Sequence, residues 1–474
     1  MNWETVIGLE VHAELSTKTK IFCGCSAEFG GEPNTRVCEI CSGMPGVLPR
    51  LNKSAVEFAV KAGLALNCDI TRLTQFDRKN YFYPDLPKAY QISQLYLPLC
   101  RNGYIEIDSD GGKKRIGIHE IHMEEDAGKL IHSENGGTLV DYNRCGVPLI
   151  EIVTDPDFRS SGEVIDFLEK LKLILQYLGV SDCKMQEGSM RADVNLSVRA
   201  LGETELGTRT EMKNLSSFRA IEKAIEFEAD RQSALLENGQ RIVQETRRWD
   251  EKLNKNYSMR SKEEAADYKY FPEPDLPPVE IDDAYIESVK NNLPELSEQK
   301  KMRYISQLGL PEYDTAVLTG DVSLMSFFER ANGLCTDAKE LSNWILGEVL
   351  RLMRENALQS EEIPLSPESL VSIINMVKSG KINRNIGKAV LEKVFTEGVE
   401  PEEYVENNSL GLLSDASAVT AAAEKVIAEN SKAVAQYKDG KANAFQFLVG
   451  QTMKALGGKA PVQQVKDALS NLLK

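Results

Sequence analysis

Two phosphate-binding signatures are missing from this sequence. It has no G-x-x-x-x-G-K-[ST] loop and no G-x-G-x-x-G fingerprint, so any nucleotide phosphates must be held by carboxylate-bound cations and scattered Lys and Arg. It has no nucleophile elbow and no serine-rich amidase loop, which sets aside the common acyl-hydrolase chemistries. No apolar run reaches the ~18 residues needed to span a bilayer. Positive charge is scarce: 56 Lys and Arg stand against 72 Asp and Glu, a formal charge of −16 that argues against a general nucleic-acid coat protein. The opening Met1-Asn2-Trp3-Glu4 lacks the basic-then-apolar pattern of a signal peptide. There is no low-complexity tract or short-period repeat. The expectation is a soluble, cytoplasmic protein.

Its acidic residues fall into a pattern. In the first fifteen residues, Ile7, Leu9, Val11, Ala13 and Leu15 alternate with Glu10, His12 and Glu14. That period of two predicts a β-strand with two carboxylates and an imidazole side by side on one face. The chemistry returns in His122-Met123-Glu124-Glu125-Asp126 and in Arg191-Ala192-Asp193-Val194-Asn195, where Met190, Ala192, Val194, Leu196 and Val198 make the apolar face. Alternating polar residues also occur on any half-wet antiparallel sheet. Three acidic strands, however, repel one another unless a cation relieves them, and oxygen-rich ligation suits Mg²⁺.

The nine cysteines are no disulfide framework in a cytosolic-looking chain. Cys23-Gly24-Cys25 and Cys38-Glu39-Ile40-Cys41, twelve residues apart, have the spacing of a closed tetrahedral Zn²⁺ site, structural in kind. Cys68, Cys100, Cys145, Cys183 and Cys335 read as free buried thiols.

The length, 474 residues, suggests about three domains at roughly 150 residues each. The first, to about residue 290, mixes helix and strand. Lys53 to Leu66 is a helix; Tyr104 to Ile107 and Arg115 to Glu120 are strands. Phe76 to Gln94 is dense in aromatic, basic and amide groups braced by Pro84 and Pro87, which suits phosphate and base contacts or a packed loop. Ser160 and Glu163 form a capping box for a helix buried through Val164, Phe167, Leu168, Leu171, Ile174, Leu175 and Leu178. Thr208 to Asn214 offers Arg209, Glu211 and Lys213 on one face, and a second helix spans Ser217 to Glu237. Tyr270 to Pro278 is extended, since its prolines forbid helix. From Leu293 the chain turns helical. Leu341, Trp344, Ile345, Glu348, Val349, Leu352 and Met353 follow helical spacing, and Ser366-Pro367 starts a helix. In the tail, Phe445, Leu448, Val449, Met453 and Leu456 form one stripe, and Val462, Val465, Leu469 and Leu472 another. Between Asn408 and Lys474 eight Lys outnumber five acids, a weak hint of RNA contact.

The runs Val6 to His12, Asp77 to Gln94, His122 to Lys129, Asp141 to Val153 and Tyr270 to Asp275 resemble the B subunit of the tRNA-dependent amidotransferase. Gly440 to Gln451 is similar to that family's tail domain, so the likeness runs end to end. The resemblance implies an α+β fold, with a mixed or antiparallel-sheet cradle (1–292, zinc knuckle at 23–41) followed by two all-helical domains (293–405 and a tRNA-binding tail, 406–474). It implies a heterotrimer with a glutaminase A subunit and a small C subunit. There ATP phosphorylates the side-chain carboxylate of Glu-tRNA(Gln) or Asp-tRNA(Asn), and ammonia displaces the phosphate. Glu10, His12, Glu124, Glu125 and Glu211 are then the expected Mg²⁺ ligands. Lys79, Tyr81, Lys88 and Tyr90 are the expected nucleotide or aminoacyl contacts, Asp193 and Lys213 line the site, and Cys23, Cys25, Cys38 and Cys41 match the zinc-bearing members. Two other readings stay open: a tRNA-holding subunit without chemistry, and a metal-dependent enzyme on a small carboxylate.

Overall fold

The computed structural model describes residues 2–109, 111–133, 136–261, 268–411, 416–438, 441–457 and 460–473. Met1 and Gly440, named in the motifs above, and Asp415, Asp439, Lys459 and Lys474 of the tail charge count lie outside them. The chain divides into two compact units, Met1–Ser297 and Glu298–Lys474. The first is sheet-rich and the second helical.

A nine-stranded sheet organises the first unit. Its order runs Lys255–Ser261, Glu245–Asp250, Thr210–Lys213, Met190–Ala200, Trp3–Glu14, Pro148–Thr154, Gly112–Glu125, Cys100–Ser109, Asp69–Ile70. All neighbours are antiparallel except Thr210–Lys213 with Glu245–Asp250. The first strand is central because its odd-numbered residues, Ile7 to Leu15, are all buried, as the alternation demands. The same core takes in Met190, Ala192, Val194, Leu196 and Val198, and the helices Ser161–Tyr177 and Phe218–Glu237 supply its other wall. The opposite face of the sheet is left to the charged residues.

The local start signals act in part as expected. Ser160 caps its helix by accepting from the Glu163 N–H at 3.2 Å, but the Glu163 carboxylate accepts from Arg159 N–H rather than from Ser160. The reciprocal half of the box is displaced by one residue. Ser217 caps the second helix through the Ala220 N–H. The proline-rich segment is extended as an edge: Phe271–Pro272 pairs with Arg78 and Asp77. Arg78 then clamps Glu273 with two bonds, at 2.7 and 2.8 Å, and Asp275 at 3.0 Å.

The helical unit holds two apolar cores. One gathers Tyr304, Phe328, Trp344, Leu352 and Val390; the other gathers Val419, Leu448, Val449, Val465 and Leu469. The Leu341–Met353 helix is not uniform, because Ile345–Val349 forms a π turn between Ala338–Trp344 and Leu350–Glu355. The wider turn keeps Ile345 and Val349 buried, while Glu348 reaches out to Arg351 and Lys388. In the tail, Val462 and Leu472 are exposed and Leu473 takes the buried position, so the last stripe runs at Val465, Leu469 and Leu473. Cys335 is half-buried, unlike Cys68, Cys100, Cys145 and Cys183.

One buried acid ties the second helix to the sheet. Glu228, fully buried, accepts from Thr210, Gln232, Arg231 and Asn256. Burial pushes its carboxyl up, but the bonds from Arg231, Gln232 and Thr210 hold it below the ordinary value. Its stabilisation is present above the unfolded pKa of ~4.3 and is lost as pH falls through the lower folded value. Glu228→Ala should destabilise the first unit by about 3 kcal/mol, and Glu228→Gln should flatten the acid limb of stability, both read by urea unfolding across pH.

A candidate active face and a four-cysteine centre

Antiparallel register brings the polar residues of the sheet into rows. His12 lies opposite Glu151, which lies opposite His122. Glu10 lies opposite Asp193, and Asn195 opposite Glu211. Residues directly opposite share a face, so these side chains meet.

Two acidic sets result. In the first, His12, Glu124 and Glu151 bring ligand-type atoms within 4.8 Å of one another. His12 Nε2 is 3.4 Å from Glu151 Oε2 and 3.5 Å from Glu124 Oε1, while His122 Nε2 reaches Glu151 Oε2 at 3.0 Å. The His122 Nδ1 is buried without a hydrogen-bond partner. Burial disfavours charge on His12, but the Glu151 and Glu124 carboxylates outweigh it and raise the imidazole to about 9. Burial likewise opposes charge on Glu151, yet His122 and His12 hold that carboxyl well below its ordinary value. Glu124 is pushed up by burial and by Glu151.

In the second set Glu10, Asp193 and Glu211 converge within the same 4.8 Å. Lys213 Nζ pairs with Asp193 and lies 3.2 Å from Glu211 Oε1. Asn195 donates to Glu10 Oε1 at 3.0 Å and Thr246 to Glu211 Oε2 at 2.8 Å. The Asn195 Oδ1 is buried without a partner. Glu10 is raised by burial and by the nearby Glu151 and Glu211.

The five expected magnesium ligands are thus divided. Glu10 and Glu211 fall in one set, His12 and Glu124 in the other, and Glu125 in neither. One residue further along the strand, Glu125 projects to the opposite side, where it pairs with Lys88 and accepts from the Ile92 N–H at 2.9 Å. Glu14, on the same face as His12, is drawn into a separate cluster: Asp126 is gripped by Arg191 at 2.9 Å and Arg144 at 3.4 Å. Burial and Asp126 push the Glu14 carboxyl up to about 8.

The expected contact residues also separate. Lys79 stands beside the first set, with its ammonium 5.6 Å from the Tyr81 ring and 5.2 Å from the Tyr268 ring. Burial opposes its charge, but Tyr270, Glu124 and Glu151 raise it overall. Tyr81 donates to Gln91, which in turn donates to the Glu125 carbonyl. Lys88 and Tyr90 lie on the Glu125 side, with Arg78 stacked 4.3 Å over the Tyr90 ring.

There they meet the cysteines. The thiols of Cys23, Cys25, Cys38 and Cys41 lie within 4.8 Å of one another, and Cys38 and Cys41 sulfurs are 3.9 Å apart. A tetrahedron with ~2.3 Å metal–sulfur bonds has edges of about 3.8 Å, so four soft donors at this spacing fit Zn²⁺. Gly43, at φ +68°, presses on Lys88 so closely that a Cβ would lie 2.6 Å from its Cγ.

Sequence reasoning missed Glu151 and His122 as members of the site. The signal was present: Glu151 is the lone charge in the apolar run Val147 to Val153.

A sheet with an acidic face in the first unit and helices in the second coincide with two family matches, the first of them a catalytic domain of the GatB/GatE type. The GatB/GatE catalytic domain family matches residues 5–287 and the GatB domain family residues 326–473. The chain belongs to this family, the tRNA-dependent amidotransferase B subunits. It is 59% identical over 472 residues to the aspartyl/glutamyl-tRNA(Asn/Gln) amidotransferase B subunit of Lachnoclostridium phytofermentans, covering 99% of each chain. It is 58% identical over 473 residues to that of Caldicellulosiruptor saccharolyticus, covering 99% of this chain and 98% of the relative. With that of Thermoanaerobacter pseudethanolicus it shares 54% over 473 residues, covering 100% of both.

A divalent cation held by His12 would need its neutral imidazole, so cation and proton would compete there. His12 is raised from 6.5, so its ion pairs stabilise the fold fully below that value and are lost as pH rises through about 9. Mn²⁺ affinity, followed by calorimetry, should therefore climb from neutrality to about pH 9. A flat profile removes His12 as a ligand.

Proposed function

We propose that this chain is the kinase and transamidase subunit of a glutamine-hydrolysing aminoacyl-tRNA amidotransferase, acting on Glu-tRNA(Gln), Asp-tRNA(Asn) or both. The side-chain carboxylate of the misacylated amino acid attacks the γ-phosphorus of ATP and ADP leaves. Ammonia then adds to the acyl carbon, phosphate departs, and the amide stands on the tRNA. The observation that carries this reading is the pair of acidic sets side by side, Glu10 and His12 being two residues apart on one strand, about 7 Å.

His12, Glu124 and Glu151, and Glu10, Asp193 and Glu211, are the residues that would hold Mg²⁺, the unpartnered Asn195 Oδ1 lying beside the second set. Bound there, Mg²⁺ supplies charge neutralisation for the transferring phosphoryl group. Lys79 and Lys213 bring fixed cations to the same face, and Tyr81 and Tyr268 offer rings on which a base can stack. Lys88, Tyr90 and Glu125 form a second polar group on the way to the cysteines, which would hold a structural Zn²⁺.

The family likeness supports a heterotrimer in which a glutaminase A subunit makes the ammonia and a small C subunit joins the pair. Residues 1–292 serve as the catalytic cradle, 293–405 as a helical support and 406–474 as the tRNA-binding tail. No helix among the described residues is long and apolar enough to cross a membrane, in keeping with a cytoplasmic setting for translation.

The test is ADP release by the reconstituted complex, with ammonium chloride replacing glutamine and Glu-tRNA(Gln) present or absent. Turnover should need the charged tRNA and should fall by on the order of 100-fold in Glu151→Gln and in Glu211→Gln. Unchanged turnover in both variants leaves this chain as a tRNA holder. Full turnover without tRNA makes it an enzyme of a small carboxylate.

A further inference from the structure

Lys20 is a buried cation without a carboxylate. Its side chain is fully buried, and among the described residues no Asp or Glu lies within ion-pair distance of Nζ. Nζ has two polar neighbours, Cys41 Sγ at 3.6 Å and the Tyr142 carbonyl at 3.3 Å. Its main-chain N–H donates to the Cys25 carbonyl at 2.9 Å. The one residue therefore bridges both halves of the cysteine motif, through the Cys25 backbone and the Cys41 sulfur. It also reaches across to the segment that carries Cys145, whose thiol donates to the Cys41 carbonyl at 3.4 Å.

An isolated ammonium taken out of water is unfavourable by several kcal/mol unless an anion offsets it. A carbonyl dipole does so only in part. A divalent ion held by four thiolates carries a net charge of −2, and it too is unfavourable when enclosed by protein. The two unfavourable terms cancel if they are adjacent, and here they are. We infer that Lys20 is the built-in counter-ion of the four-cysteine centre, a positioning residue that halves the cluster's excess charge, donates to the Cys41 sulfur and ties the knuckle to the cradle through Tyr142. This rests on the reading that Cys23, Cys25, Cys38 and Cys41 hold a soft divalent ion.

The consequence is an asymmetry that simple packing would not produce. Removing the ammonium relieves the metal-free protein of a buried charge, yet it leaves the metal-loaded centre with its full −2. A structural lysine would instead weaken both forms alike. Lys20→Met removes charge and donor, and Lys20→Gln keeps a donor without charge.

The experiment uses the full chain, stripped of metal and titrated with Zn²⁺ against a chromogenic chelator, with thermal melts of the metal-free and zinc-loaded forms. Both variants should bind Zn²⁺ about tenfold or more weakly, the scale of lost outer-shell partners. Their metal-free forms should melt at or above the native metal-free chain, so that the gain in melting temperature on adding zinc shrinks. Selectively ¹⁵N-lysine-labelled native chain gives an arm that needs no variant: one ζ-ammonium resonance should be protected from exchange and shift when Cd²⁺ replaces Zn²⁺. Native-like zinc affinity in both variants, equal loss of stability in both metal states, or a native spectrum without such a resonance overturns the counter-ion. A native chain that binds no Zn²⁺ overturns the metal centre itself.

Discussion

Charge crowded onto one side of a sheet is the constraint to which the rest of the cradle answers. A row such as His12–Glu151–His122 exists because antiparallel pairing sets these residues opposite one another, and it holds because two imidazoles flank one carboxylate. The three clusters along the first strand differ in which groups neutralise them. At Glu14 two guanidinium groups, Arg191 and Arg144, face the Glu14–Asp126 pair. At His12 the histidines answer Glu124 and Glu151. At Glu10 the Lys213 ammonium pairs with Asp193 and Glu211, two of the three carboxylates that converge there.

The aromatic and basic loop owes its geometry to a distant segment. Arg78 stacks on Tyr90 and grips Glu273 and Asp275, which anchors the proline-braced strand across the loop. Tyr268, on the same segment, is thereby set against Tyr81 at 5.8 Å, and the two rings flank Lys79. On the other side of the sheet the cysteine knuckle plays the corresponding part. Gly43 packs against Lys88, and Lys20 joins Cys41 to the Tyr142 backbone. The four-cysteine centre thus shares walls with the Lys88–Glu125 pair, around a cavity of about 220 Å³ lined by Lys20, Cys41, Lys88, Tyr90 and Glu125.

Much of this architecture was legible because it depends on short-range periodicity. Strict alternation marked Ile7 to Leu15 and Met190 to Val198 as strands, and the strands Trp3–Glu14 and Met190–Ala200 form there. A serine before an amphipathic stretch marked two helix starts. The paired cysteines marked a compact cluster of four thiols. What escaped was long-range or one residue out of phase. Glu125 was grouped with Glu124 because they are neighbours in sequence, yet the pleat sends neighbours to opposite faces. Glu151 was passed over because its strand reads as apolar, and only pairing with strands on both sides puts it between two histidines. The helix around Trp344 was legible as a helix, but its π turn arises from packing that draws Ile345 and Val349 inward together.

By itself, then, the sequence determined the periods of two and near four, the turn and cap residues and the donor types, since each depends on steric and hydrogen-bonding preferences acting over a few residues. Tertiary structure decided which acids share a cation, which lysine answers which carboxylate, and that the buried ammonium of Lys20 ends beside a cysteine sulfur. The reason is physical: strand register and face set distances of 3 to 5 Å between residues more than a hundred positions apart, and electrostatic pairing depends on those distances and on burial.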